Sequence, residues 1–276
     1  MTGRQLPPDT GNGYLSTMRR LRVGAVNYLN TKPLVEGLTG FAPEIDLSFD
    51  LPSRLADRMA RGELDVGLIP VVEYLRAGDY SHVPGIAIGS AGPVLSVTLF
   101  SRVAWPRIRT VALDVGSRTS AALTEILLRK RHGIAPQVEP LPLDVPADDL
   151  TTDAVLLIGD RAMNACLPGF EFAYDLGEEW TAWTGLPMVF AVWAVRPGVE
   201  LGTTEAAFHK AKAFGLSRSG AIAAREAPAL GVSPAYCRRY FSNIIRYDLG
   251  PRELAGLRRF GELAAEVGLV PQGVAA

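Results

Sequence analysis

Three short strand-like runs alternate with two helix-patterned segments between residues 21 and 69, and this alternation constrains the fold more than anything else in the chain. Residues 21–26 (LRVGAV) and 64–69 (LDVGLI) are compact apolar runs, which predicts buried strands. Residues 44–49 (EIDLSF) alternate apolar and polar, which predicts a strand nearer an edge. Between the first two runs, residues 33–38 open with Pro33, tolerated in the first turn of a helix. Residues 53–61 carry Leu55, Ala56, Met59 and Ala60 on one stripe, with Ser53 as an expected cap and Gly62 as a stop. A β-α-β-α-β order of this kind builds a parallel sheet with helices on its faces.

The pattern continues in a second unit. Residues 86–89 and 95–100 read as further strands, and 110–114 starts a new α/β segment. Residues 117–131 form an expected helix, with Ala122, Leu123, Ile126 and Leu127 on one face and Gly133 as its stop. Strands are expected at 138–141 and 154–158, a short helix at 159–166, an aromatic-rich return strand around 183–190 and a long apolar strand at 188–195. From residue 203 the pattern is helical, over 203–226, 233–243 and 251–267, and no repeat of fixed period occurs. This helical tail has no sheet of its own, so it is expected to pack back on the first unit. The expected organisation is a disordered extension at 1–19, a discontinuous first lobe from 20–102 plus 191–276, and a second lobe from 103–190. In folds of this kind the ligand sits at the carboxyl ends of the strands, in a central cleft between lobes.

Composition removes several classes of function. The net charge of −1 gives no basic face, so nucleic acid is not an expected partner. Cys166 and Cys237 lie far apart with no metal spacing, so neither a disulfide framework nor a metal site is expected, and a reducing cytoplasm fits. His82, His132 and His209 are scattered. The first twenty residues hold no apolar run of the sort a secretory signal needs, and no stretch reaches the ~18 apolar residues of a membrane span. Met18 lies just before the first strand, so residues 1–17 are expected to be dispensable.

Four constellations stand at strand ends. Gly116 follows the strand at 110–114, and Ser117, Arg118, Thr119 and Ser120 then open a helix. Unpaired N–H groups, a positive dipole end, three hydroxyls and a guanidinium make this an expected anion site, with Arg118 as a bidentate fork for a carboxylate. The spacing does not match the phosphate loop of nucleoside-triphosphate enzymes. The second constellation, 27–33 (NYLNTKP), offers Tyr28 and Asn30 where the first strand ends; Asn30 also suits a helix cap. The third, 89–96 (GSAGPVLS), reads as a crossing between lobes that carries the Ser96 hydroxyl. The fourth is Asp160 after Ile158 and Gly159, either a cap or a cleft acid. No nucleophile elbow, zinc-protease helix or dinucleotide glycine motif is present.

Taken together, residues 23–34 (VGAVNYLNTKPL), 62–69 (GELDVGLI), 92–96 (GPVLS), 117–120 (SRTS), 157–160 (LIGD) and 183–187 (WTGLP) resemble the chorismate dehydratase family of the futalosine route to menaquinone. The resemblance runs from about residue 20 to the C-terminus. It implies a two-lobed, type II periplasmic-binding-protein-like α/β fold with two crossovers. It also implies a small-molecule partner, chorismate, and elimination of water to 3-[(1-carboxyvinyl)oxy]benzoate, with no metal or redox cofactor.

On that reading Asn30 and Ser96 are the catalytic pair, orienting the ring and binding the leaving hydroxyl. Tyr28, Ser117, Arg118, Thr119, Ser120 and Asp160 are expected to bind substrate. The candidate cleft loops hold no His or Glu base, so a carboxylate of the substrate is the expected proton acceptor, with Asp160 as the competing enzyme base. Three other functions share the fold: a non-catalytic carboxylate-binding protein, which would normally be exported; the sister 1,4-dihydroxy-6-naphthoate synthase, which needs a wider cleft and a base; and a regulator's ligand domain, which would carry a helix-turn-helix partner.

Overall fold

The computed structural model describes residues 20–142 and 145–273; the extension expected at 1–19 lies outside them. The chain first builds β1 (Leu21–Val26), α1 (Lys32–Val35), α2 (Leu38–Phe41), β2 (Ile45–Asp50), α3 (Pro52–Ala60), β3 (Val66–Pro70), α4 (Val71–Ala77) and β4 (Ser81–Ser90). It then crosses to β5 (Val97–Ser101), β6 (Thr110–Asp114), α5 (Arg118–Ile126), β7 (Gln137–Leu141), β8 (Ala154–Ile158), α6 (Gly159–Met163), β9 (Phe172–Asp175) and α7 (Leu176–Thr184). It returns through β10 (Met188–Val195) and finishes with α8 (Thr204–Ser217), α9 (Ser219–Leu230), α10 (Pro234–Arg239), β11 (Ile245–Arg246) and α11 (Pro251–Glu266).

Two sheets result, with strand orders β11-β4-β10-β3-β1-β2 and β7-β6-β8-β5-β9. They share one plan. In the first, β1 lies parallel to both β2 and β3, and β10 runs antiparallel between β3 and β4. In the second, β6 lies parallel to β7 and β8, and β5 runs antiparallel between β8 and β9. Each sheet therefore takes its antiparallel strand from the segment that has just crossed from the other lobe. Placing 97–102 in the first lobe is corrected by this pairing: Val97 sits opposite Ile158, and Thr98 opposite Asp175. The sheet changes between Ser90 and Val97, and again between Asp175 and Met188.

Local chemistry explains most elements. β3 and β8 are buried along their whole length, as strands covered on both faces must be. β2 alternates and sits at the sheet edge. In α3 the cap is Leu51 with Pro52 at the first position; Ser53 instead gives its N–H to the Gly116 carbonyl at 3.3 Å. The helix expected at 117–131 is α5 followed by a wider π-type turn at Leu127–Arg131. The single helix expected at 203–226 breaks at Arg218 into α8 and α9. Trp183 and Thr184 end α7 rather than starting a strand, because Gly185 takes the left-handed conformation (φ 70°) and stops the helix.

The tail adds an edge strand to the sheet that holds β1: β11 pairs with β4. One apolar core runs through both lobes and includes the fully buried Trp180, Trp193, Phe208, Tyr240 and Phe260. Each such side chain contributes roughly 1.5–3 kcal/mol of burial.

Candidate functional site

A cavity lies where the carboxyl ends of β1, β3, β6 and β8 meet across the cleft. Both lobes line it: Tyr28, Asn30 and Pro70 from the first, Ser117, Ser120 and Gly159 from the second. The crossing segment adds Val94, Ser96 and Val97, and β10 adds Phe190. Among the described residues, Tyr28 is the only lining group with a titratable side chain. Its phenol is pushed up to about 12, first by burial and then by the charges of Asp114 and Asp160, with Arg161 opposing. It is therefore a neutral donor at any physiological pH.

One end of the cavity is the start of α5. Ser117 occupies the cap position, yet its side chain makes no capping bond. Its hydroxyl lies 2.8 Å from that of Ser120. The pair leaves one hydroxyl proton available, beside the first-turn N–H groups and the positive end of the dipole. That combination suits an anion.

The opposite wall is a hydroxyl and amide cluster. The Tyr240 phenol, in the turn after α10, donates to Ser96 Oγ at 2.8 Å. The Asn30 side chain lies beside the Tyr240 oxygen, and Thr31 Oγ1 donates to Asn30 Oδ1 at 3.3 Å. Tyr240 is fully buried, and that burial pushes its pKa up, so it stays a donor. Because Ser96 Oγ accepts from Tyr240, the serine's own proton must go elsewhere. Its one intramolecular acceptor is the Val94 carbonyl at 3.4 Å, at the long limit for an O–H···O bond. Ser96 is therefore set to donate into the cavity.

The expected site residues divide. Tyr28, Asn30, Ser96, Ser117 and Ser120 line the cavity together. Thr119 points the other way, buried, and accepts the Val72 N–H at 3.3 Å. Arg118 does not serve as a fork in the cavity: its guanidinium reaches out to Asp57 at 2.8 Å and Glu73 at 3.5 Å, on α3 and α4 of the other lobe. Asp160 sits just behind Gly159 and accepts the Leu29 N–H at 3.3 Å, across the lobe boundary. Burial raises its pKa, opposed by that N–H and by Lys32. With Ser53 on Gly116, these contacts hold the lobes together in a closed arrangement.

Gly159 is required where it stands. Its φ is +60°, and a β-carbon there would meet the Tyr28 ring at 3.2 Å. Sequence reasoning missed Tyr240 because an aromatic in an amphipathic helix reads as core. Only the fold brings it 144 residues back to Ser96. His82 pairs with Tyr74, and His132 stacks on Trp105, so neither lines the cavity. Among the described residues no group of three His, Cys, Asp or Glu side chains could hold a metal ion, and no helix is long and apolar enough to cross a membrane.

Known proteins resemble this chain in sequence and in fold. A sequence model of the family described as menaquinone biosynthesis matches residues 21–266. The chorismate dehydratase of Thermus thermophilus is 33% identical over 265 residues, covering 89% of this chain and 95% of that protein. Among solved structures, a protein of Archaeoglobus fulgidus superposes with a TM-score of 0.72 at 17% identity, covering 92% of this chain and 99% of that one. The alkanesulfonate-binding protein of Xanthomonas axonopodis pv. citri, bound to MOPS, gives 0.60 at 14% identity, covering 93% and 96%. At those identities the likeness shows the fold, which is the two-lobed, periplasmic-binding-protein-like one.

Proposed function

The chain belongs to the menaquinone biosynthesis family, and from that we infer that it is a hydro-lyase that removes water from chorismate to give 3-[(1-carboxyvinyl)oxy]benzoate. The observation that carries this reading is the cavity itself. It lies between the lobes, sets a few neutral hydroxyl and amide groups in a mostly apolar wall, and has a helix N-terminus at one end. A small dianionic substrate that needs orientation, and no oxidation, suits such a site.

Loss of water from chorismate breaks the C3–H and C4–O bonds. The C3–H electrons become the C3–C4 π bond, the ring turns aromatic, and the abstracted proton and the departing hydroxide make up the water lost. Aromatisation supplies the driving force. Two groups then need help: the C3 proton needs an acceptor, and the hydroxide needs a donor.

Ser96 is the donor for the leaving hydroxyl, with Tyr240 fixing the direction of its proton and Asn30 completing the cluster. A preorganised donor of this kind is typically worth ~10²–10³ in kcat. The start of α5, with Ser117 and Ser120, takes one substrate carboxylate. The proton acceptor is the substrate's own enolpyruvyl carboxylate. Two features support this: no carboxylate or imidazole lines the cavity among the described residues, and the nearest acid, Asp160, already accepts a backbone N–H behind Gly159. A lining without cations also leaves that carboxylate its basicity. Arg118 closes the lobes and does not touch substrate. A cytoplasmic location goes with this biosynthetic role.

The test is incubation of the purified chain with chorismate. The expected result is loss of the diene absorbance and a product lighter by one water. Tight binding of chorismate that is returned unchanged would leave a carboxylate-binding role instead.

A further inference from the structure

The one described residue other than glycine with a positive φ is Leu95, at +61°. A bulky side chain disfavours that conformation, and it persists only where the surroundings over-determine it. Leu95 is the residue before Ser96, inside the first crossing between lobes, so its backbone sets where the Ser96 hydroxyl points.

What holds it is a carboxylate from the other end of the second lobe. Asp175 Oδ2 accepts the Leu95 N–H at 2.7 Å, and the two carboxylate oxygens accept the Val94 N–H at 2.9 and 3.0 Å. The same group caps α7, accepting the N–H groups of Gly177 and Glu178 at 3.0 and 3.1 Å. α7 lies hard against the crossing: Thr181 Oγ1 accepts the Gly92 N–H at 3.0 Å, and a β-carbon on Gly177 would stand 2.7 Å from the Gly92 carbonyl. On its far side Ser96 is tied by its own carbonyl, which accepts the Gly159 N–H at 2.8 Å. Four backbone donors converge on one side chain that does not line the cavity.

We propose that Asp175 is a positioning residue: its carboxylate clamps Val94 and Leu95 in the strained conformation that aims the Ser96 hydroxyl, and with it the Tyr240–Ser96 pair, at the substrate. The inference rests on the chorismate reading for its kinetic test, and on hydrogen exchange for a test independent of it.

Asp175→Ser separates the two duties of the side chain. Serine caps a helix well, so α7 keeps its start, but one hydroxyl cannot bridge both crossing amides. The expected result is a kcat for chorismate lower by at least about tenfold, as small misplacements of reacting groups allow, with KM changed less than about threefold. Adding Leu95→Gly should recover at least about fivefold of that loss, because glycine adopts a positive φ unaided.

A helix cap with no role in aiming Ser96 would not be rescued by a change at residue 95. An Asp175→Ser kcat within about twofold of the parent, or a folded double variant no faster than Asp175→Ser, overturns the clamp. In the parent protein the amides of Val94 and Leu95 should exchange as slowly as those inside β5, and faster in Asp175→Ser. Loop-rate exchange at Leu95 in the parent overturns the clamp even if no Asp175 variant folds. A parent that exchanges slowly there but leaves chorismate unchanged would instead sink the dehydratase reading.

Discussion

Replacing Arg118 with alanine should barely affect substrate binding. Its guanidinium pairs with Asp57 at 2.8 Å and Glu73 at 3.5 Å; Arg118 and Asp57 are part-exposed, and Glu73 already pairs with Arg76. Solvent-screened pairs of this type contribute about 0.2–1 kcal/mol. With Glu73 retaining Arg76, the total for Arg118 is about 1 kcal/mol. If all of it favours the closed lobes, KM rises by about fivefold at most, since ~1.4 kcal/mol is a factor of ten. Salt should erase even that, because exposed pairs are screened.

A guanidinium paired with a desolvated carboxylate behaves differently: its loss costs about 2–5 kcal/mol, or roughly thirtyfold to several thousandfold in affinity. The assay is KM for chorismate beside Kd for the enolpyruvyl benzoate product, at low and moderate salt, with Tm measured in parallel. Asp57→Ala should reproduce the Arg118→Ala result, and the double variant should add little to either. A thirtyfold or larger loss for Arg118→Ala alone, insensitive to salt and with Asp57→Ala silent, would put Arg118 on the substrate and refute the latch.

Tyr240→Phe removes the donor behind Ser96 and should lower kcat by roughly tenfold to a hundredfold, less than loss of a donor in direct contact; an unchanged kcat with Tm lowered would make the bond purely structural. Gly159→Ala should destabilise the chain by about 1–2 kcal/mol through its positive φ and raise KM, because the new methyl meets the Tyr28 ring; calorimetry and steady-state kinetics read both. Stability should fall in alkali. Tyr28, Tyr240 and Tyr247 are all raised by burial, so the unfolded chain loses its phenolic protons first. The stability tied to these phenols is whole below about pH 10 and is lost as pH rises through the folded values. For Tyr28, raised to about 12, the loss is about 2–3 kcal/mol. Urea midpoints from pH 8 upward should stay flat and then drop, with the last phenolate absorbance appearing as the structure is lost; ionisation of all eight tyrosines near pH 10 in a still-folded chain would contradict this.

Strand order along the chain was legible where flanking chemistry was sharp. The expected strand spans at 21–26, 110–114, 154–158 and 188–195 coincide with β1, β6, β8 and β10. The lobe boundary was not legible, because β5 looks like a continuation of β4 and is reassigned only by pairing with β8 and β9, far along the chain. α7 was not expected at all: only its last two residues, Trp183 and Thr184, fall in the segment expected as a strand, and Trp183 is helix packed against the core.

At the site, backbone-proximal residues were readable and long side chains were not. Asn30, Ser96, Ser117 and Ser120 stand at strand ends, so fold class alone aims them at the cleft. The direction of Arg118 depends on Asp57 and Glu73, which only packing brings near. Tyr240 and Asp175 act on the Ser96 segment from 144 and about 80 residues away, with no local signal in either case.

The substrate-borne base is tested most directly by one comparison: the rate of diene loss from saturating chorismate for the parent chain and for Asp160→Asn. Asparagine keeps the acceptor for the Leu29 N–H but cannot take a proton from C3. A substrate-borne base predicts that both proteins turn chorismate over, with kcat values within a few-fold of each other. Turnover by the parent, with an Asp160→Asn variant that still binds chorismate but is inert, would make Asp160 the base and contradict the account.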